Sequence, residues 1–151
     1  MIICTSVSHG NTKRVADTIG AELQAPVFAP EQVDLDALAA TQLVGFGSGV
    51  FNMNLHPRLR EFVQSLPTRQ SGTAFVFTTS GLPEPPFRQY TARFARTLEL
   101  KGFHVAGTFS CRALDTWLPF KLVGGINKSR PDHADLAAAR HFAGTLLRQT
   151  R

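Results

Sequence analysis

The sequence predicts an α/β protein built on one doubly wound sheet of five parallel strands, a single domain over residues 1–151. Two observations carry this reading. Apolar runs alternate with segments of helical period along the whole chain, giving the order βαβαβαβαβα without an internal repeat. The strand runs are apolar at successive positions, as expected of strands covered on both faces by helices. A chain of 151 residues, 43% of them hydrophobic, can fill one substantial core.

The first strand is Met1 to Thr5, and the helix after it starts near Asn11 with Val15, Ile19 and Leu23 on one face. Pro26 to Ala29 forms a short second strand, followed by a helical turn around Leu35 to Ala40. Leu43 to Gly47 is the third strand and runs into a glycine-rich loop, Ser48 to Asn54. Pro57 suits the first turn of a helix, where its missing N–H is no loss. Leu59, Phe62, Val63 and Leu66 follow at helical spacing. The β-branched and aromatic run Thr73 to Thr79 is a central strand, broken at Ser80-Gly81 by the loop "LPEPPF". A helix from about Arg88 to Lys101 turns Tyr90, Phe94 and Leu98 inward, and Gly102 stops it. Phe103 to Ser110 is the fifth strand. Pro131-Asp132 opens a last helix that buries Leu136, Ala139, Ala143, Leu146 and Leu147.

Composition excludes several classes. No apolar run approaches the roughly 18 residues of a membrane-spanning helix. The first residues have no signal-peptide pattern and start as a strand, so the expected location is cytoplasmic. Cys4 and Cys111 lie in or beside apolar strands and read as buried free thiols. The glycosylation pattern Asn127-Lys128-Ser129 is then a chance match. The formal net charge of +5 would suit nucleic acid, anionic lipid or an acidic protein. No nucleic-acid motif accompanies the arginines, so no nucleic-acid partner is expected.

In a doubly wound sheet, ligands bind beyond the carboxyl ends of the strands. Three loops leave those ends with unusual chemistry: Ser6 to Thr12, Ser48 to His56 and Ser80 to Phe87. In the first, Ser6, Ser8, Asn11 and Thr12 surround Gly10 directly before a helix. Such a group can hold an anion on backbone N–H groups and the helix dipole, although Asn11 or Thr12 could also simply cap the helix. Neither G-x-x-x-x-G-K-[ST] nor G-x-G-x-x-G is present here. A cysteine phosphatase is also excluded, because Cys4 belongs to the strand and Arg14 to the helix. The other two loops mix glycines with Val50, Phe51 and Phe87, a combination suited to a flat heteroaromatic ring.

The order of elements, "S-x-S-x-G-N-T" after the first strand, "VGFGSGVF" at the third and "FVFTTSG" at the fourth resemble the flavodoxin family. The resemblance covers essentially the whole chain. It implies a three-layer sandwich with strand order 2-1-3-4-5 and noncovalently bound FMN. The FMN phosphate would lie on Ser6, Ser8, His9, Gly10, Asn11 and Thr12. Its ring would lie between Ser48, Gly49, Val50, Phe51 and Asn52 on one side and Ser80, Gly81 and Phe87 on the other. Gly49 would let a backbone carbonyl turn toward flavin N5. Three features depart from the family: Val7 and His9 stand where hydroxyl residues are usual, Phe51 and Met53 replace a stacking Trp or Tyr, and the chain is basic rather than acidic.

The segment Arg112 to Arg130 is too long for a simple connection and too apolar for disorder. Trp117 and Phe120 would lie beside the flavin mouth, meet a second subunit in a homodimer, or pack within the loop itself. The resemblance implies an electron carrier working between a reductase and an acceptor, both redox proteins and acidic if docking uses charge. The alternatives are an FMN-dependent quinone reductase, a protoporphyrinogen-oxidase-like enzyme associated with a membrane surface, and a flavin-free interaction module. No residue is placed as acid, base, nucleophile or metal ligand.

Overall fold

In the computed structural model the chain is described for residues 1–6, 10–80, 84–112 and 131–150. The strands are β1 (Ile2–Thr5), β2 (Val27–Phe28), β3 (Leu43–Phe51), β4 (Asn54–Leu55), β5 (Thr73–Ser80) and β6 (His104–Arg112). The helices are α1 (Asn11–Leu23), α2 (Leu35–Ala39), α3 (Pro57–Ser65), α4 (Tyr90–Leu100) and α5 (His133–Thr150), with a 3-10 turn at Pro30–Gln32. The sheet runs β2-β1-β3-β5-β6, every neighbour parallel, and β4 folds back antiparallel on β3. With β4 set aside, this is the expected order of five strands. Helices on both faces make it the expected three-layer sandwich.

Each face of the sheet has its own core. On one, Phe46, Val76 and Ile3 pack under α3 and α4 with Leu59, Val63, Phe94 and Leu98. The ring of Phe46 meets Phe94 and Phe103 edge-on, at 6.3 and 5.5 Å between centroids. On the other face, Ile2, Phe75 and Phe77 pack under α1 and α5 with Val15, Ile19, Ala139 and Ala143. Two strand positions have no side chain for a packing reason. A Cβ on Gly45 or Gly47 would run into the ring of Phe75 or Phe77 beside it. The glycines therefore let large rings lie flat across β3 while keeping the interior dense.

The structure corrects several expected boundaries. The stretch 48–54 is not a loop: β3 continues to Phe51 and a tight hairpin returns it as β4. Asn52 and Met53 both take left-handed backbone angles, φ 49° and 56°. Two such residues in succession give the twist that a two-residue hairpin needs. The sequence lacks the usual Asn-Gly signal there, which is why the hairpin read as a loop. The fourth long helix starts at Tyr90 rather than Arg88, and the last strand reaches Arg112, taking in Cys111. Leu136 and Leu147 are half-buried rather than buried.

Candidate functional site

The strands that matter end together. Thr5 pairs with Ser48, Ser48 with Thr78 and Thr78 with Ser110, so one register row of hydroxyl residues crosses the carboxyl edge. From β1 the chain goes to β2 on one side and then to β3 on the other, which puts the switch point between β1 and β3.

Helix α1 begins at this switch point. Its N-cap is Gly10, at φ 66°, which has no side chain of its own to cap with. The space where a Cβ would sit at Gly10 is open, so glycine is required by backbone angle rather than by crowding. The first helical bond runs from Arg14 N–H to the Gly10 carbonyl at 3.0 Å. Lys13 N–H donates to Ser6 Oγ at 3.3 Å. The N–H groups of Gly10, Asn11 and Thr12 therefore precede the helical ladder, at the positive end of the dipole. The side-chain cap expected of Asn11 or Thr12 is absent. Both are buried, and Thr12 Oγ1 shares a 2.7 Å hydrogen bond with Thr79 Oγ1. Gly49 lies above that pair, its open side facing both hydroxyls. Thr79 is a site residue the sequence reading did not single out. Thr5 is another: its Oγ1 is buried at the end of β1 with no hydrogen-bond partner among the described residues.

The hairpin supplies the opposite wall. Ser48 Oγ donates to the Gly49 carbonyl at 2.8 Å and accepts from His56 N–H at 3.0 Å, so its hydroxyl holds the hairpin. Val50 is half-buried and packs against the α3/α4 core. Phe51 is 55% exposed, Met53 39% and Phe87 80%, and among the described residues Phe51 and Phe87 are the exposed aromatic rings. Ser80 and Tyr90 share a side-chain hydrogen bond, and burial with the charge of Glu84 raises the Tyr90 phenol above its usual range. Glu84 Oε1 accepts from Thr91 N–H at 2.8 Å at the start of α4.

His56 caps α3: its Nδ1 accepts from Arg58 N–H at 3.1 Å, and its ring lies 6.1 Å from that of Phe51. Partial burial, then the charges of Arg58 and Arg60, lower its pKa. The unfolded chain therefore takes up this proton more readily than the fold. The stability given by the neutral ring is complete above about 6.5, the ordinary histidine value. It is lost as pH falls through the lowered folded value. His56→Asn keeps a capping acceptor without titrating. Denaturation midpoints of this variant measured between about pH 5 and 7 should lose part of the parent's slope; an unchanged slope would refute the assignment.

The two cysteines, Cys4 and Cys111, are buried and form no disulfide. Burial, the largest cause, pushes the Cys4 thiol up to about 12, which removes it as a nucleophile. Native protein treated with a thiol reagent at neutral pH should therefore leave Cys4 unlabelled, as peptide mapping can check; rapid labelling would contradict the burial. Among the described residues no group of His, Cys, Asp and Glu could hold a metal, and no helix is long and apolar enough to cross a membrane. A cavity of about 890 Å³ opens at the opposite edge of the sheet, but His104 is its sole titratable lining residue.

Of the expected site residues, Ser6, Gly10, Asn11, Thr12, Gly49, Phe51, Asn52 and Ser80 gather at the carboxyl edge, and Phe87 lies exposed on the segment leading to α4. Val7, Ser8, His9, Gly81, Trp117 and Phe120 lie outside the described residues.

A doubly wound sheet with this strand order, and a helix that starts on a glycine N-cap at its switch point, defines a flavodoxin-like protein. The sequence pattern of the flavodoxin domain matches residues 2–117. The chain is 32% identical over 148 residues to an uncharacterized protein of Methanocaldococcus jannaschii, covering 98% of this chain and 97% of that one. It superposes on a flavodoxin from the domain Archaea with a TM-score of 0.69 at 18% identity, covering 99% and 97% of the two chains. It also matches a short-chain flavodoxin associated with a PDU bacterial microcompartment, with a TM-score of 0.71 at 13% identity over 99% and 97%. The protein belongs to the flavodoxin domain family, a family of flavin-binding redox proteins.

Proposed function

We propose that this protein binds FMN noncovalently and carries electrons between a reductase and an acceptor protein. The observation that carries the reading is the glycine start of α1, where the N–H groups of Gly10, Asn11 and Thr12 have no partner among the described residues. Its leading N–H groups face the switch point, where a phosphate is the natural complement. The described residues also fit the rest of the molecule. The orphaned Thr5 hydroxyl and the paired Thr12 and Thr79 offer polar partners near the phosphate end. The rings of Phe51 and Phe87 offer flat apolar walls at the mouth, where covering them would repay their exposure.

Bound there, the flavin supplies the chemistry of accepting and releasing electrons. The chain's own part is to hold and shield it. Gly10 bends the backbone onto the phosphate, Ser48 and His56 keep the hairpin in place, and Phe51 with Phe87 limits water at the ring. No described side chain at the edge is set up as an acid or base, which favours a carrier over a free-standing reductase.

The test is the visible spectrum and turnover of the purified protein. A carrier gains the flavin bands on adding FMN and oxidises NADH slowly unless a reductase is supplied. Rapid quinone reduction with NADH alone would make it a reductase, and failure to bind flavin would make it a flavin-free interaction module.

A further inference from the structure

A cleft of about 170 Å³ lies between α3 and α4, lined by Asn54, Arg60, Gln64, Arg93, Phe94 and Thr97. It is smaller than the roughly 300 Å³ at which small-molecule pockets begin. Its chemistry is cationic. Arg60 Nε donates to the Leu55 carbonyl at 2.9 Å, which fixes its guanidinium and leaves the terminal N–H groups for another partner. Arg93 reaches the same cleft from α4. Lys101 adds a third charge beyond Gln64, its Nζ bonded to the carbonyls of Gln64 and Leu66 at 2.7 and 2.8 Å. Among the described residues the ion pairs are Lys13 with Asp17 and Arg58 with Glu31, so no carboxylate neutralises Arg60 or Arg93.

We propose that this cleft is a socket for one carboxylate side chain of an acidic protein partner. The inference deepens the electron-carrier reading and rests on it for the partner's role. The size of the cleft suits a single side chain, and two guanidinium groups suit a carboxylate. Its position fits docking at the redox centre, because Asn54 pairs with Phe51 across the hairpin. A partner seated in the socket would cover the exposed Phe51 and Met53. An apolar centre with arginines at its flank is the usual composition of a protein interface.

The test titrates a short oligoglutamate peptide into the full chain and follows the arginine side-chain N–H signals by NMR. The parent should show Arg60 and Arg93 shifting together. Arg60→Gln/Arg93→Gln should bind the peptide about tenfold more weakly. Arg140→Gln/Arg148→Gln, on α5, should bind it as the parent does. Arg93→Gln alone keeps the Arg60 bond to Leu55, and should already weaken binding if the double variant folds poorly. FMN affinity of each variant, measured separately, should stay at the parent value, so loss of flavin binding and loss of the socket are read apart. Equal peptide binding by parent and double variant would overturn the proposal. So would stronger Arg60- and Arg93-dependent binding to inorganic phosphate or to phosphatidylglycerol vesicles than to the peptide.

Discussion

Asn11→Asp is expected to weaken FMN binding on the order of 100-fold, because it sets a carboxylate within a few ångströms of the bound phosphate. Asn11 is buried in the first turn of α1, between the N–H groups of Gly10 and Thr12 that precede the helical ladder. In the absence of flavin, the same substitution places a negative charge at the positive end of the helix dipole. Aspartate is nearly isosteric with asparagine, so the apo fold should persist. Asn11→Ala removes the amide without adding charge and should cost less than about tenfold. Isothermal titration of the three proteins with FMN separates the cases. Equal affinities for the Ala and Asp variants would remove the phosphate from this position.

Gly47→Ala is expected to destabilise the fold by about 3 kcal/mol, the upper part of the range for overpacked cores. The new methyl would enter the space held by the Phe77 ring, at the centre of the sheet and in the core shared with α1 and α5. If that contact is the cause, Phe77→Leu should recover part of the loss when combined with Gly47→Ala. The two effects would then fail to add, as expected of touching residues. Urea midpoints for the four proteins of the cycle measure this, and strict additivity would show that the ring is not what excludes a side chain.

The fold was legible because its signals are local and redundant. Val15 and Ile19, or Ile2-Ile3 and Thr73 to Thr79, state their period and burial without reference to the rest of the chain. Pro57 opened α3 and Gly102, at φ 104°, followed α4 as their chemistry requires. The start of α1 was legible for a similar reason, since a glycine directly before a helical period marks a turn, and Gly10 takes φ 66° there. Side-chain roles in the hairpin were not legible. Asn52 tolerates its left-handed angle, but Met53 carries one that the hairpin imposes and its own preference resists. The part Ser48 plays in holding the hairpin was hidden, because only the return of β4 brings His56 N–H onto its hydroxyl. Thr12 and Thr79 are 67 positions apart, so their hydrogen bond is a product of the parallel register, which no local pattern encodes. The Arg60 and Arg93 cleft is hidden in the same way, because its two cations come from different helices.

The central claim is that the start of α1 holds a phosphate, and a parallel titration with FMN and riboflavin tests it most directly. The two ligands share the ring and differ in the phosphate. FMN should bind with a single equivalent and at least about 100-fold more tightly than riboflavin, the difference expected of a charged group held by several N–H donors. Equal affinities, or binding of neither ligand, would contradict the account.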